Sequence, residues 1–172
     1  MHEYDSLSDT PFYREQTRIL APYAQTPDEV VREMLKLTKI KPNELLVDLG
    51  CGDGDVLVIA ASEFKCRCVG YEIDSVLANA ASNKVKELGL ENRVKVIHGD
   101  LFDADLSDVD VVFLYLTPRM LDSLKGKLER ELRKGVRVVS HDYPIEGWRP
   151  KAVKELKKSE LHTHLIFLYV IE

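Results

Sequence analysis

The chain lacks the raw material of several function classes. Its three cysteines, Cys51, Cys66 and Cys68, are odd in number and without the paired spacing of a zinc site, so a disulfide framework is not expected. Cys66 and Cys68 alternate along an apolar run and read as small packing residues. No apolar run approaches bilayer length, since the longest, Val109 to Leu116 and Leu165 to Ile171, are strand-sized. A charged start followed by an apolar stretch and a cleavage site is also missing, and the expectation is a cytoplasmic protein with no membrane partner. Amides are few (Gln16, Gln25, Asn43, Asn79, Asn83, Asn92) against 31% charged residues, a composition that leans toward a thermophile. Basic excess is absent too. A net charge of -5 speaks against a nucleic-acid partner, which needs a basic surface to release counterions, and would steer a cationic one.

What is present suits one domain. The chain has 172 residues, 45% of them apolar, and is read as an arm over residues 1–25 and a core over 26–172. Thr26-Pro27-Asp28-Glu29 reads as a helix start, with Thr26 as N-cap and Glu29 completing a capping box, before the apolar stripe Val30, Val31, Met34, Leu35 and Leu37. Strand-like runs follow at Leu45 to Asp48, Arg67 to Tyr71, Val94 to His98, Val109 to Leu116 and Val136 to Ser140. Helical segments lie between them at Val56 to Phe64, Ser75 to Leu88 and, opened by Thr117-Pro118, Arg119 to Lys134. This alternation predicts an α/β fold, a mostly parallel sheet with helices on both faces. Residues 141–150 read as a loop, and Ala152 to Lys157 with Leu161 to Ile171 as a terminal hairpin. Asp103, Asp105, Asp108 and Asp110 read as a solvated edge.

Ligands of such sheets bind beyond the carboxyl ends of the strands. Gly50, Gly52 and Gly54 stand there, after the first strand, where positive φ and close approach are permitted and the next helix offers free N–H groups. The spacing is GxGxG, so the dinucleotide fingerprint GxGxxG is not met. Glu72 should end the second strand, where a carboxylate accepts from both hydroxyls of a ribose, and Asp100 should follow the third, where it accepts from an exocyclic amine. Taken singly, Asp48 reads as a loop anchor, Glu72 as a charge at a helix start and Asp100 as a turn residue. Together they describe a nucleoside without phosphates.

At these residues the sequence resembles the class I S-adenosylmethionine-dependent methyltransferases. VDLGCGDG looks like their first motif, GYEID their second and HGDLF their third. The resemblance implies a three-layer Rossmann-like fold of seven strands with a reversed terminal strand, with S-adenosylmethionine as cofactor and S-adenosylhomocysteine as product. It also implies that Asp48, Gly50 and Gly52 meet the methionine part, Glu72 the ribose, and Asp100 with Leu101 the adenine, with Gly54 a further cofactor-binding candidate. YAQTPDEVVREML and SHDYPIEGW further resemble the archaeal protein lysine methyltransferases and their eukaryotic relatives. That implies Tyr23 and Thr26 closing over the amino-acid end of the cofactor, with Gln25 where the pattern has proline. Tyr115 is expected to line the acceptor pocket, and Trp148 to be either a core anchor or a wall of the lysine channel. FLYLTP, Phe113 to Pro118, lacks the Asn/Asp-Pro-Pro-aromatic sequence of enzymes that methylate base amines.

The expected partner is a basic protein met by a monomer, and the expected chemistry is in-line transfer to a lysine made neutral by desolvation and a neighbouring cation, without a dedicated base. His162 and His164 share a strand face, enough for two metal ligands, and no metal is expected; His141 is a candidate for touching substrate. The alternatives are a methyltransferase acting on RNA or a small molecule, a nicotinamide or flavin protein, and a noncatalytic module that binds S-adenosylmethionine.

Overall fold

The computed structural model describes residues 24–172, so Tyr23 and the rest of the arm before it lie outside the described residues. The first helix, α1 (Asp28–Thr38), buries the predicted stripe of Val30, Val31, Met34 and Leu35 and stops at Lys39, whose backbone is left-handed (φ 53°). The capping expectation fails here. Pro27 holds the N-cap position with no side-chain cap, and the Thr26 hydroxyl turns away to His141, 3.2 Å distant. Helix propensity had a use for this hydroxyl, and a tertiary hydrogen bond took it instead.

The remaining elements are β1 (Leu45–Leu49), α2 (Asp55–Glu63), β2 (Arg67–Glu72), α3 (Ser75–Glu87), β3 (Val94–His98), a 3-10 turn (Leu101–Asp103), β4 (Val111–Leu114), α4 (Pro118–Glu131), β5 (Arg137–His141), β6 (Ala152–Ser159) and β7 (His162–Val170). Their order in the sheet is β3-β2-β1-β4-β5-β7-β6, with β1 to β5 parallel and β7 antiparallel to both neighbours. The terminal hairpin is therefore present, and its last strand is inserted between β5 and β6. Strands buried on both faces explain the continuous apolar runs. On one face Met34, Leu57, Ile59 and Phe113 form a core under α1 and α2, and on the other Leu106, Val112, Leu121 and Leu124 form one under α4.

Three local expectations change. The run Val109 to Leu116 pairs only over Val111–Leu114, although both its ends are buried. Cys66 precedes β2; all three cysteines are free and buried, and burial raises their thiol pKa values, that of Cys66 to about 11. Asp110 is no solvated edge residue: it accepts from the Leu45 N–H at 2.8 Å and pairs with Arg133 at 2.7 Å, tying β4 to β1 and to the segment after α4.

Position along the strands decides what the hairpin does. His141, the last residue of β5, pairs with Ile166, so β6 and β7 run on past the carboxyl edge of the sheet to Ser159 and His162. Leu161, at the tip, is 98% exposed. Residues 142–151 join β5 to β6 without a helix and fold back beside β7, where the Lys151 N–H donates to the Leu168 carbonyl at 2.7 Å.

Candidate active site

The strand order reverses between β1 and β4, and the side chains gathered at that point line one small cavity of about 30 Å³. Thr26, Asp48, Gly50 and Tyr115 all lie on its wall, beside Asp53, Asp55 and Phe113. Four residues singled out in the sequence thus meet, although they span three separate segments of the chain.

The glycine loop has the conformation its residues permit. Gly50 sits at φ 87°, and a Cβ there would come 3.3 Å from Leu116; Gly54, at φ 88°, is the N-cap of α2, and a Cβ would come 3.0 Å from that of Ala81. Both are strained for any L side chain, so the backbone stays bare where a ligand must approach. Lys84 of α3 holds the loop from outside through Asp53 (3.1 Å) and Asp55 (2.5 Å), and Gln25 also hydrogen-bonds to Asp55. Neither contact was foreseen from sequence.

Glu72 ends β2 as expected, is buried, and accepts from the Gly52 N–H at 2.8 Å and the Asp74 N–H at 3.0 Å. Its carboxylate fixes the glycine loop. Asp100, also buried, accepts from the Phe102 N–H at 3.0 Å and so starts the 3-10 turn that carries buried Leu101. The turn role considered for Asp100 is present; its orientation toward adenine is a proposal.

Asp48 is buried at the carboxyl end of β1. Burial, and then the charge of Glu72, push its carboxyl up to about 8 from the ordinary 3.8. Because the folded value lies above the unfolded one, folding takes up a proton; the stabilisation is complete below about pH 4 and is lost as pH rises through 8. Thermal melts of cofactor-free protein should therefore fall over that interval, and Asp48→Asn should flatten the dependence. A positive ligand beside Asp48 favours the ionised form, so binding a sulfonium compound should release protons, which titrations in buffers of different ionisation enthalpy will read.

Tyr115, on the cavity wall, lies against His141 with ring centroids 4.0 Å apart and ring planes tilted by 39°, and burial, with the charge of Asp142 nearby, raises its phenol pKa. His141 is fully buried, so it does not touch substrate directly. Its Nδ1 faces the Thr26 hydroxyl and its Nε2 lies 2.9 Å from Nδ1 of His164. Donor atoms of His141, Asp142 and His164 fall within 4.8 Å of one another, but the 2.9 Å contact is a hydrogen bond that turns the two facing imidazole nitrogens toward each other rather than toward an ion.

Trp148 does not join this site. Its indole N–H donates to Glu129 at 2.8 Å, its ring meets Tyr169 edge-on at 5.6 Å, and it lines a groove of about 780 Å³ with Lys151 and Ile171. The fold-back of residues 142–151 carries it down beside β7, away from the cavity. Trp148 is partly buried against the core cluster that holds Tyr169, and it is not on the cavity wall.

The family model for the ANTKMT methyltransferase domain matches residues 48–152, from Asp48 through the start of β6. The chain belongs to the ANTKMT methyltransferase domain family. It is 38% identical over 151 residues to a protein-lysine N-methyltransferase of Saccharolobus islandicus, covering 87% of this chain and 93% of that one. It is 35% identical to the adenine nucleotide translocase lysine N-methyltransferase of Mus musculus, spanning 62% of that protein's length. Among solved structures, an RNA methyltransferase from Salinibacter ruber in complex with S-adenosyl-L-homocysteine is 36% identical and superposes with a TM-score of 0.81 over 86% of this chain and 94% of that one. This family member is a methyltransferase with the class I fold, and S-adenosylmethionine is its cofactor. The residues present fit that group: a bare glycine loop, buried carboxylates at two strand ends, and an acidic wall toward a cation.

Proposed function

We propose that this chain is a cytoplasmic, monomeric enzyme that methylates lysine side chains of a basic protein. The observation that carries the reading is the match, over nearly the full length of both chains, to a relative whose name gives that activity. The net charge of -5 suits a cationic partner, and among the described residues no helix is long and apolar enough to cross a membrane.

When bound, S-adenosylmethionine supplies a methyl group on a sulfonium. The chain's own residues bind and orient. Gly50, Gly52 and Gly54 give a loop that a ligand reaches at backbone distance, Asp48 and Thr26 meet the methionine end, Glu72 takes the ribose hydroxyls, and Asp100 with Leu101 takes the adenine. Tyr115 forms the apolar wall against which the acceptor amine is aligned and dried. A free lysine holds its proton to a pKa of about 10.4. Desolvation beside a cation lowers that value and exposes the lone pair.

A competing reading is RNA methylation, favoured by the name of the Salinibacter ruber protein. The acidic net charge weighs against it. Labelled S-adenosylmethionine incubated with purified enzyme and a cell lysate separates the two. Label removed by protease and mapped to lysine is expected, and should vanish with Asp48→Ala. Label lost only to nuclease would establish the RNA reading instead.

A further inference from the structure

An amine takes a methyl only after its ammonium has lost a proton, and at neutral pH a lysine arrives protonated. Three buried polar side chains run from the cavity toward the surface. Thr26 lies on the cavity wall, with its Oγ1 3.2 Å from Nδ1 of His141; Nε2 of His141 is 2.9 Å from Nδ1 of His164; and the exposed ring of His162 stands edge-on to His164 at 4.6 Å between centroids. They thread the apolar region that holds Phe113, Val139 and Ile166, where aliphatic side chains would pack at lower cost. The series begins on the cavity wall at Thr26, runs by side-chain contact through His141 to His164, and reaches an exposed ring at His162.

We propose that Thr26, His141 and His164 form a path along which the proton shed by the acceptor amine leaves the site. The proposal rests on the amine reading given above. In the step, an N–H bond of the ammonium breaks and an O–H bond forms at Thr26 Oγ1, while the hydroxyl's own proton bonds to Nδ1 of His141. The Nε2 proton of His141 passes to Nδ1 of His164, and the Nε2 proton of His164 goes to water. The amine keeps its electron pair for the methyl. Water entering the cavity after product release restores the starting tautomers.

The relay needs neutral rings, each with one N–H and one lone pair. Burial is the largest influence on both: it holds His141 down to about 4 and His164 below the ordinary histidine value. The charged and titratable groups facing them are Asp142, which opposes that shift at both rings; His162, which adds to it at both; Lys158, which adds to it at His164; and Glu29, which opposes it there. Tyr115 covers His141, with Asp142 and Tyr143 beside its hydroxyl. His141 and His164 act through Thr26 and are positioning and relay residues, never in contact with substrate.

The test is the pH profile of lysine methylation in wild type and His164→Asn. An asparagine oxygen accepts from Nε2 of His141 in place of Nδ1 but cannot relay the proton. The variant should bind S-adenosylmethionine with unchanged affinity by calorimetry, yet lose about 10²-fold in kcat at pH 7, the order expected of proton-transfer catalysis. The loss should shrink as pH rises toward about 10.4, where a growing share of the lysine arrives neutral, and added imidazole should recover part of it. If His164→Asn does not fold, Thr26→Val, which keeps the side-chain shape but removes the hydroxyl, should give the same displaced kcat profile at saturating S-adenosylmethionine, the condition that separates the path from the role of Thr26 at the methionine end. Lysine product from both enzymes with coincident profiles overturns the path alone. No lysine product from wild type overturns the amine reading and the path with it.

Discussion

Gly70→Ala should lower the melting temperature by roughly 6–12 °C, the effect of about 3 kcal/mol in a domain of this size. Gly70 lies inside β2, paired across the sheet with Asp48. A Cβ there would stand 2.5 Å from Cδ1 of Leu57, 2.7 Å from Sγ of Cys51 and 2.8 Å from Cβ of Cys51. Two of these contacts belong to the loop residue between Gly50 and Gly52, so relieving them displaces the loop that lines the cavity. Cofactor affinity should fall together with stability. Cys51→Ala in the same chain removes the sulfur contact and should restore part of both, a coupling that a double-mutant cycle measures directly. An unchanged melting temperature in Gly70→Ala would show that the β2 backbone shifts without strain.

Glu72→Ala should weaken S-adenosylmethionine binding by about 10²-fold, equivalent to about 2.7 kcal/mol. One carboxylate both accepts the Gly52 and Asp74 N–H groups and stands where a ribose is expected, so its removal orphans two donors and deletes a charge-assisted acceptor. A second effect distinguishes this variant from simple loop disorder. Glu72 contributes to the upward shift of Asp48. Without it the Asp48 carboxyl should titrate lower, and the pH interval over which the free protein loses stability should move down with it. Calorimetric affinity and melts at several pH values read the two effects separately.

The parts of the site visible in the sequence are those encoded by short, local patterns. An apolar run that stops at a glycine loop marks a strand end, and Asp48, Glu72, Asp100 and Tyr115 each sit at or just past such a stop. Alternation of strands and helices then fixes which ends share an edge, because parallel crossovers leave little choice. Thr26 and His141 are 115 residues apart, and His141 and His164 face one another only because β7 enters between β5 and β6. Nothing local reports that register. The position of Trp148 was hidden for the same reason: its distance in sequence from His141 is short, but the direction of the helix-free connection is set by where β6 begins.

The place of β7 also governs when this sheet closes. It follows β5 and β6 in the chain yet lies between them, so as the polypeptide leaves the ribosome the β1 to β5 sheet waits with an open edge until residues 162–170 emerge. His164 travels on that segment. The site's link to the surface is thus installed last, and a chain released early would keep its glycine loop while lacking the strand that closes its sheet.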